Sequence, residues 1–174
     1  MPFAWVLRRF GHTVVKMRDG SLLLYGGTDG EGTIFESVYR LTVSPINHSG
    51  SSNSTLGPPV KVTCQPLRSE GSAPEPQFGH ASWAQSRDAS KHGFVAWGGC
   101  TEKGEGGAFY AEVQDGGESL RWSRINGAAE VMMLRHSVVP VPGASDAVLA
   151  VGGGVNCFSF GSTFMPLCSL WKLV

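Results

Sequence analysis

The chain has 174 residues, of which 41% are hydrophobic, so it is long enough to bury one sizeable core. Lys and Arg together number 14, as do Asp and Glu, and the net charge of +0 leaves no diffuse positive field for non-specific nucleic-acid binding. The 24 glycines, the 10 prolines and a charged fraction of only 16% favour short strands joined by tight turns, and therefore an all-β fold.

The N-terminus and the cysteines point to a cytoplasmic chain. Residues 1–7 form too short an apolar run for a secretory leader, and Arg8 and Arg9 follow the run instead of preceding it. No stretch is long and apolar enough to predict a membrane span. The four cysteines, Cys64, Cys100, Cys157 and Cys168, lie far apart without a C-x-x-C pair, which favours free thiols over disulfides or a metal site.

One pattern then occurs three times along the chain. It begins with RFGH at residues 9–12, QFGH at 77–80 and MLRH at 133–136, and the histidine of each copy opens an apolar strand. A second apolar strand follows, and it ends in a pair of glycines. The repeated positions are His12, Gly26 and Gly27 in the first copy, His80, Gly98 and Gly99 in the second, and His136, Gly152 and Gly153 in the third.

Two further strands complete the pattern. A third strand is predicted at 37–43 and 109–113, and a fourth at 60–63 and 120–125, whereas the third copy stops at a third strand over 170–173. Four antiparallel strands are the blade of a β-propeller. We therefore expect three blades, roughly 8–69, 76–127 and 134–174, with the last incomplete. Because propellers have about 4–8 blades, these blades are expected to be part of a larger ring.

Two stretches between the predicted strands have too few large apolar side chains to pack, and a third stretch is rich in glycine. Residues 44–55 and 66–76 are rich in Ser, Gly and Pro, which predicts surface loops. Residues 152–162, which read GGGVNCFSFGS, are predicted to be a glycine-flanked loop. These glycines do not fit a dinucleotide fingerprint, because Cys157 stands where the third glycine would be.

The repeated motifs resemble the kelch repeat, and the resemblance covers nearly the whole chain. Within it, residues 152–162 are similar to the last-blade segment of the kelch region in the tRNA wybutosine-synthesizing protein 4 family, also called leucine carboxyl methyltransferase 2. In that family the propeller follows a methyltransferase-like domain. That domain uses S-adenosylmethionine to complete the wybutosine base of tRNA-Phe by methylation and methoxycarbonylation.

The resemblance implies an accessory propeller for tRNA-Phe modification, with a methyltransferase domain as its partner in cis or in trans. Contact with tRNA-Phe would come through the parent protein. The sequence lacks a glycine-rich turn between a strand and a helix, so no methyltransferase domain and no bound cofactor are expected in this chain. Whether the chain takes part in a transferase enzyme stays open. The alternative is a generic kelch scaffold or adaptor that binds other proteins.

Two sets of side chains are candidate sites. The three repeat histidines could form a shared metal or acid–base set, but their equivalent positions favour separate structural roles on three blades. Arg8, Arg9, Arg124 and Arg135 could meet a phosphate, although ordinary hydrogen bonding within the repeat is the favoured interpretation.

The candidate interface comprises Asn156, Phe158 and Phe160. A turn needs Gly, Asn or Pro but has no use for paired phenylalanines. We expect the two rings either to fill the propeller centre, which is the favoured alternative, or to contact a catalytic domain or an unstacked base.

Overall fold

A computed structural model describes residues 8–46, 60–86, 91–114, 116–128, 133–144, 147–157, 161–164 and 168–172. All regular secondary structure in these ranges is β-strand, which confirms the all-β prediction. No helix in this part of the chain could cross a membrane. The strands are β1 Thr13–Lys16, β2 Leu22–Tyr25, β3 Val38–Pro45, β4 Val60–Gly71, β5 Gln77–Phe78, β6 Ala81–Ser86, β7 His92–Trp97, β8 Cys100–Thr101, β9 Gly104–Glu105, β10 Ala108–Val113, β11 Ser119–Arg124, β12 Leu134–Pro140, β13 Ala147–Cys157, β14 Gly161–Phe164 and β15 Cys168–Lys172.

These strands form three repeat units. The first unit is the antiparallel meander β1–β2–β3–β4, and the second is the antiparallel arrangement β6–β7–β10–β11. In the third unit β13 pairs with β12 and with both β14 and β15. The third unit therefore has the three predicted strands plus a short hairpin partner.

The units share one register. The residue after each repeat histidine pairs with the residue before the first glycine of the same unit. The three pairs are Thr13 with Tyr25, Ala81 with Trp97, and Ser137 with Val151. Because register fixes which side chains face the core, this shared pairing places equivalent residues of the three units on equivalent faces.

Strand β4 is longer than predicted and joins the first two units. Residues 66–71 were expected to lie in a surface loop, but they continue β4 to Gly71, so this part of the prediction is wrong. The end of β4 pairs in parallel with β11, Arg68 with Ser119 through Gly71 with Trp122. This pairing uses main-chain groups and needs no apolar side chains, so a polar, mostly exposed sequence can supply it. The result is one eight-stranded sheet.

Two apolar layers hold the units together. One layer lies between the first and second units and brings Leu23 and Tyr25 against Phe94 and Trp122. The rings of Tyr25 and Trp122 have centroids 5.1 Å apart in a tilted arrangement. The other layer joins the second and third units and consists of Trp83, Val95, Trp97, Ala108, Tyr110, Met133, Val148 and Ala150. Burial of such faces is the main favourable contribution to folding in a stack of repeats.

Candidate functional site

The repeat histidines lie at the junctions between neighbouring units. His80 of the second unit is buried, and its Nε2 atom lies 2.8 Å from the hydroxyl oxygen of Thr13 in the first unit. The His80 ring also packs on Tyr25 of the first unit, with centroids 4.9 Å apart. His136 packs in the same way on Trp97 of the second unit, edge to face, with centroids 5.6 Å apart.

Burial keeps these histidines neutral. Burial, together with the smaller repulsion from the charges of His136 and His12, lowers the pKa of His80 to about 3. Burial also lowers the pKa of His136 to about 4, and it lowers that of His12. Among the described residues, no three His, Cys, Asp or Glu side chains lie close enough to hold a metal ion. The arrangement fits packing between units better than acid–base chemistry.

Gly26, the first glycine of its pair, lets the second unit approach closely. All six paired glycines have positive φ, a conformation that costs other L-residues energy; they are Gly26, Gly27, Gly98, Gly99, Gly152 and Gly153. A Cβ atom at Gly26 would lie 2.6 Å from the carbonyl oxygen of Gln77 and 2.7 Å from Cε1 of His80. Only glycine leaves room for the following unit at this point.

Main-chain hydrogen bonds repeat across both junctions. Gly27 N–H donates to the carbonyl oxygen of Gln77 over 2.9 Å, and Gly99 N–H donates to that of Met133 over 3.1 Å. Gln77 and Met133 each stand three residues before the repeat histidine of their own unit. The two junctions are therefore built in the same way.

The arginines separate into two groups. Arg9 is buried in its own unit, where Nη1 donates to the carbonyl oxygen of Gly26 over 3.0 Å and the guanidinium lies 4.0 Å from the Phe35 ring centroid. Arg8, Arg124 and Arg135 are exposed, and the Arg124 guanidinium lies 5.9 Å from the Phe109 ring centroid. Hydrogen bonding within the repeat accounts for Arg9, whereas the three exposed arginines stay candidates for a phosphate contact.

Arg135 has an unusual backbone. Its φ is +59°, and it is the one non-glycine residue with positive φ among those the structure describes. The other two units have Gly11 and Gly79 at this position, with φ of +66° and +69°. The repeat thus requires a left-handed residue before the histidine, and the third unit meets this requirement with an arginine at an energetic cost.

Residues 152–157 and 161–162 lie in paired strands and not in the predicted loop. β13 continues through the glycines to Cys157 and pairs with β14, Asn156 opposite Ser162. The first two units have shorter counterparts, a bridge between Thr28 and Ile34 and the pair β8–β9. Phe158 and Phe160 lie outside the described residues, and of Asn156 only the backbone is described.

A polar cleft that the sequence analysis missed lies between the first and second units. It has a volume of about 230 Å³, and its charged and titratable lining residues are Asp19, Arg40 and His92. Hydrogen bonds from Ser21, and the charges of Arg40 and His92, lower the pKa of Asp19. These residues are far apart in sequence and follow no shared motif, so no local signal could have grouped them.

Comparison with known proteins supports the fold but no function. No protein-family model matches the sequence, and no curated protein matches it. The structure is similar to a chain in the cryo-EM structure of RAG in complex with one melted RSS and one unmelted RSS. That likeness has a TM-score of 0.54 at 15% identity and covers 91% of this chain and 50% of that chain.

The structure of YjhT gives a TM-score of 0.43 at 15% identity and covers 90% of this chain and 45% of that chain. The present chain therefore spans about half the length of the solved chains that it matches. At such low identity the first likeness concerns the fold alone. The repeated antiparallel units, stacked through glycine–histidine junctions, define an all-β, β-propeller-like protein.

Proposed function

We propose that the chain is a kelch-type propeller segment of three blades, the last lacking its fourth strand, and that it acts as an accessory docking module without its own catalytic site. The observation that carries the proposal is the repeated junction. A histidine packs on the aromatic residue of the preceding unit, and a glycine N–H donates across the junction, at both interfaces. Identical junctions arrange blades around a common axis, which leaves their loops as the binding surface.

The assembly that we propose for it is a cytoplasmic tRNA-modifying transferase of the wybutosine-synthesis family. The support is the similarity of residues 152–162 to the last blade of that family, together with the kelch pattern around it. S-adenosylmethionine would be held by the methyltransferase domain, in cis or in trans. The glycines described here do not fit that cofactor, because they serve strand turns and unit junctions and none of them begins a helix.

The test is to combine a methyltransferase domain of this family with the purified chain and to measure S-adenosylmethionine-dependent modification of tRNA-Phe. We expect the chain to co-elute with the domain, to increase modification, and to transfer nothing by itself. Saturable binding of S-adenosylmethionine by the isolated chain would contradict the accessory role. Unchanged modification, with no co-elution, would contradict the proposed assembly.

The candidate interface can be tested in the same mixture with Phe158 and Phe160 both changed to Ala. If the rings dock the catalytic domain, the melting temperature stays the same and modification falls; if they fill the propeller centre, the melting temperature itself falls. If neither quantity changes, the interface hypothesis is wrong. The exposed Asn126→Asp variant is the matched control, because Asn126 lies in a turn of the second unit.

A generic protein-binding scaffold is the second candidate function. It is favoured by the exposed apolar side chains on both outer faces of the stack, among them Val43 and Leu170. Stable association with an unrelated protein, combined with no effect on the methyltransferase domain, would favour this candidate over the first.

A further inference from the structure

The third unit presents an apolar sheet face that no described residue covers. Val139 pairs with Leu149, and Leu149 pairs with Leu170, so the three side chains form a row across β12, β13 and β15. Val139 is 55% exposed and Leu170 69% exposed, and Val151 on the same face is 43% exposed. The opposite side of the sheet carries Val148 and Ala150, which pack on the second unit. We call Val139, Leu149, Val151 and Leu170 the third-unit face.

The first unit presents the complementary outer face. Val43 and Val62 are cross-strand partners on β3 and β4 and are each 50% exposed, and Val14 on β1 is 47% exposed. The other side of this sheet packs on the second unit through Leu23 and Tyr25. We call Val14, Val43 and Val62 the first-unit face. Leu24 and Tyr39 on the same side as Val14 are themselves buried. Each end of the stack thus carries exposed apolar side chains.

The junction pattern indicates which surface would fit the third-unit face. At both described junctions the second glycine of a pair donates its N–H to the residue three positions before the next histidine. The next donor in this series is Gly153 N–H. The acceptor position that neither junction uses is the carbonyl of Arg9, which stands three residues before His12. One chain therefore carries both halves of a further junction.

The space around the first glycines supports the same conclusion. At Gly26, the following unit places the Gln77 carbonyl and the His80 ring within 2.7 Å of the position that a Cβ atom would take. At Gly152, no described atom lies within 4 Å of that position. Gly152 nevertheless keeps the backbone of its counterpart, with φ of +68° against +67°. The backbone that admits a neighbouring unit is present where the structure contains no neighbour.

We propose that a second copy of this chain occupies the third-unit face, docking its first-unit face there as one unit docks on the next. Applied twice, this head-to-tail contact closes a twofold ring of six repeat units, within the range of about 4–8 blades that propellers contain. The inference rests on the proposed propeller assignment.

The first test compares substitutions at two glycines that both have a left-handed backbone. Gly152 lies at the predicted junction, and Gly143 lies in the turn between β12 and β13; both have positive φ and open space around them. We expect the unaltered chain to sediment at twice 18.5 kDa at micromolar concentration. Gly152→Ala should sediment as the single chain, because the new methyl group fills the space that the neighbour needs, whereas Gly143→Ala should keep the dimer.

The second test restores the contact by mixing variants. Leu170→Asp places a charge on the third-unit face and Val62→Asp places one on the first-unit face, and each variant alone should be monomeric. Mixed together, they should form a dimer, because the Leu170→Asp variant keeps its first-unit face and the Val62→Asp variant keeps its third-unit face. These two unaltered faces can still dock on each other. Asn126→Asp adds the same charge away from both faces and should leave the dimer unchanged.

Several outcomes would overturn the proposal. A monomeric unaltered chain would do so, as would an open-ended series of larger assemblies. If Val62→Asp alone remained dimeric, the contact would be face-to-face between two third units and not head-to-tail. These results are independent of modification of tRNA-Phe by the methyltransferase domain, so failure of the dimer and failure of the proposed function can be distinguished.

Discussion

The Nε2 atom of His80 lies 2.8 Å from the hydroxyl oxygen of Thr13, although the two residues are 67 positions apart and belong to different repeat units. The same hydroxyl lies 2.8 Å from that of Ser82. A single threonine at the start of one unit thus connects to both the histidine and the first strand of the next. The repeat histidine is a junction residue and not only a local one.

Replacing His80 with Ala should destabilise the chain by about 3 kcal/mol. The change removes a buried ring that contacts Tyr25 and leaves the Thr13 hydroxyl without one of its partners. The free energy of unfolding in urea measures the effect, and Asn126→Ala in an exposed turn should change it by less than about 0.5 kcal/mol. Similar values for both variants would contradict the junction role.

Replacing Gly26 with Ala should destabilise the chain by more than the strain of its positive φ alone. Gly26→Ala forces a methyl group against the carbonyl of Gln77 and the ring of His80, whereas Gly20, which also has positive φ, has open space around it. We expect the free energy of unfolding, measured by urea denaturation, to fall by about 1 kcal/mol in Gly20→Ala and by at least about 3 kcal/mol in Gly26→Ala. If the two costs are equal, the second unit does not approach Gly26 as described.

Arg135→Gly should stabilise the chain. The left-handed conformation costs a non-glycine residue about 1–2 kcal/mol, and glycine, which the first two units have at this position, avoids that cost. Glycine also gives the unfolded chain more conformational entropy, which offsets part of the gain. We expect a net gain of about 0.5–1 kcal/mol in the thermal unfolding free energy, and no gain for Arg135→Ala. Loss of stability in Arg135→Gly would mean that the arginine side chain makes a stabilising contact.

Acidification should destabilise the chain through His80 and His136. Their pKa values in the folded chain are about 3 and about 4, below the ordinary value of 6.5. At pH values between these folded-state values and 6.5, the unfolded chain therefore binds more protons than the folded chain. Stability therefore falls as the pH drops below about 6.5, by about 2 kcal/mol for each histidine at about pH 5.

Urea denaturation at about pH 7 and about pH 5 measures this dependence. In His80→Gln the difference in stability between the two pH values should shrink by about 2 kcal/mol, because the proton uptake of His80 is lost. An unchanged pH dependence in that variant would show that the proton uptake lies elsewhere.

Much of the fold could be predicted because the repeat consists of residue types that favour particular backbone conformations. Glycine pairs after an apolar strand and a histidine before one recur three times, and the structure gives all three copies the same register. The all-β class and the repeated strands are therefore confirmed. The blade count and the kelch assignment stay proposals.

Other parts could not be predicted, since they depend on contacts between main-chain atoms or between units. The parallel pairing of β4 with β11 involves backbone groups of a polar segment, so its composition indicated a loop. The pairing of Gly154–Cys157 with β14 could not be predicted for a similar reason, because glycine is as compatible with a turn as with a strand. The contact between His80 and Thr13 depends on how two units are stacked, which no local pattern specifies.

Amide hydrogen exchange at the junction glycines is the strongest test of whether the repeats stack through glycine–histidine junctions. Gly27 and Gly99 donate across the junctions, whereas Gly20 donates to Met17 within a local turn. We expect the amides of Gly27 and Gly99 to exchange only with global unfolding and the amide of Gly20 to exchange far faster. Exchange of Gly27 and Gly99 as fast as that of Gly20 would contradict this stacking.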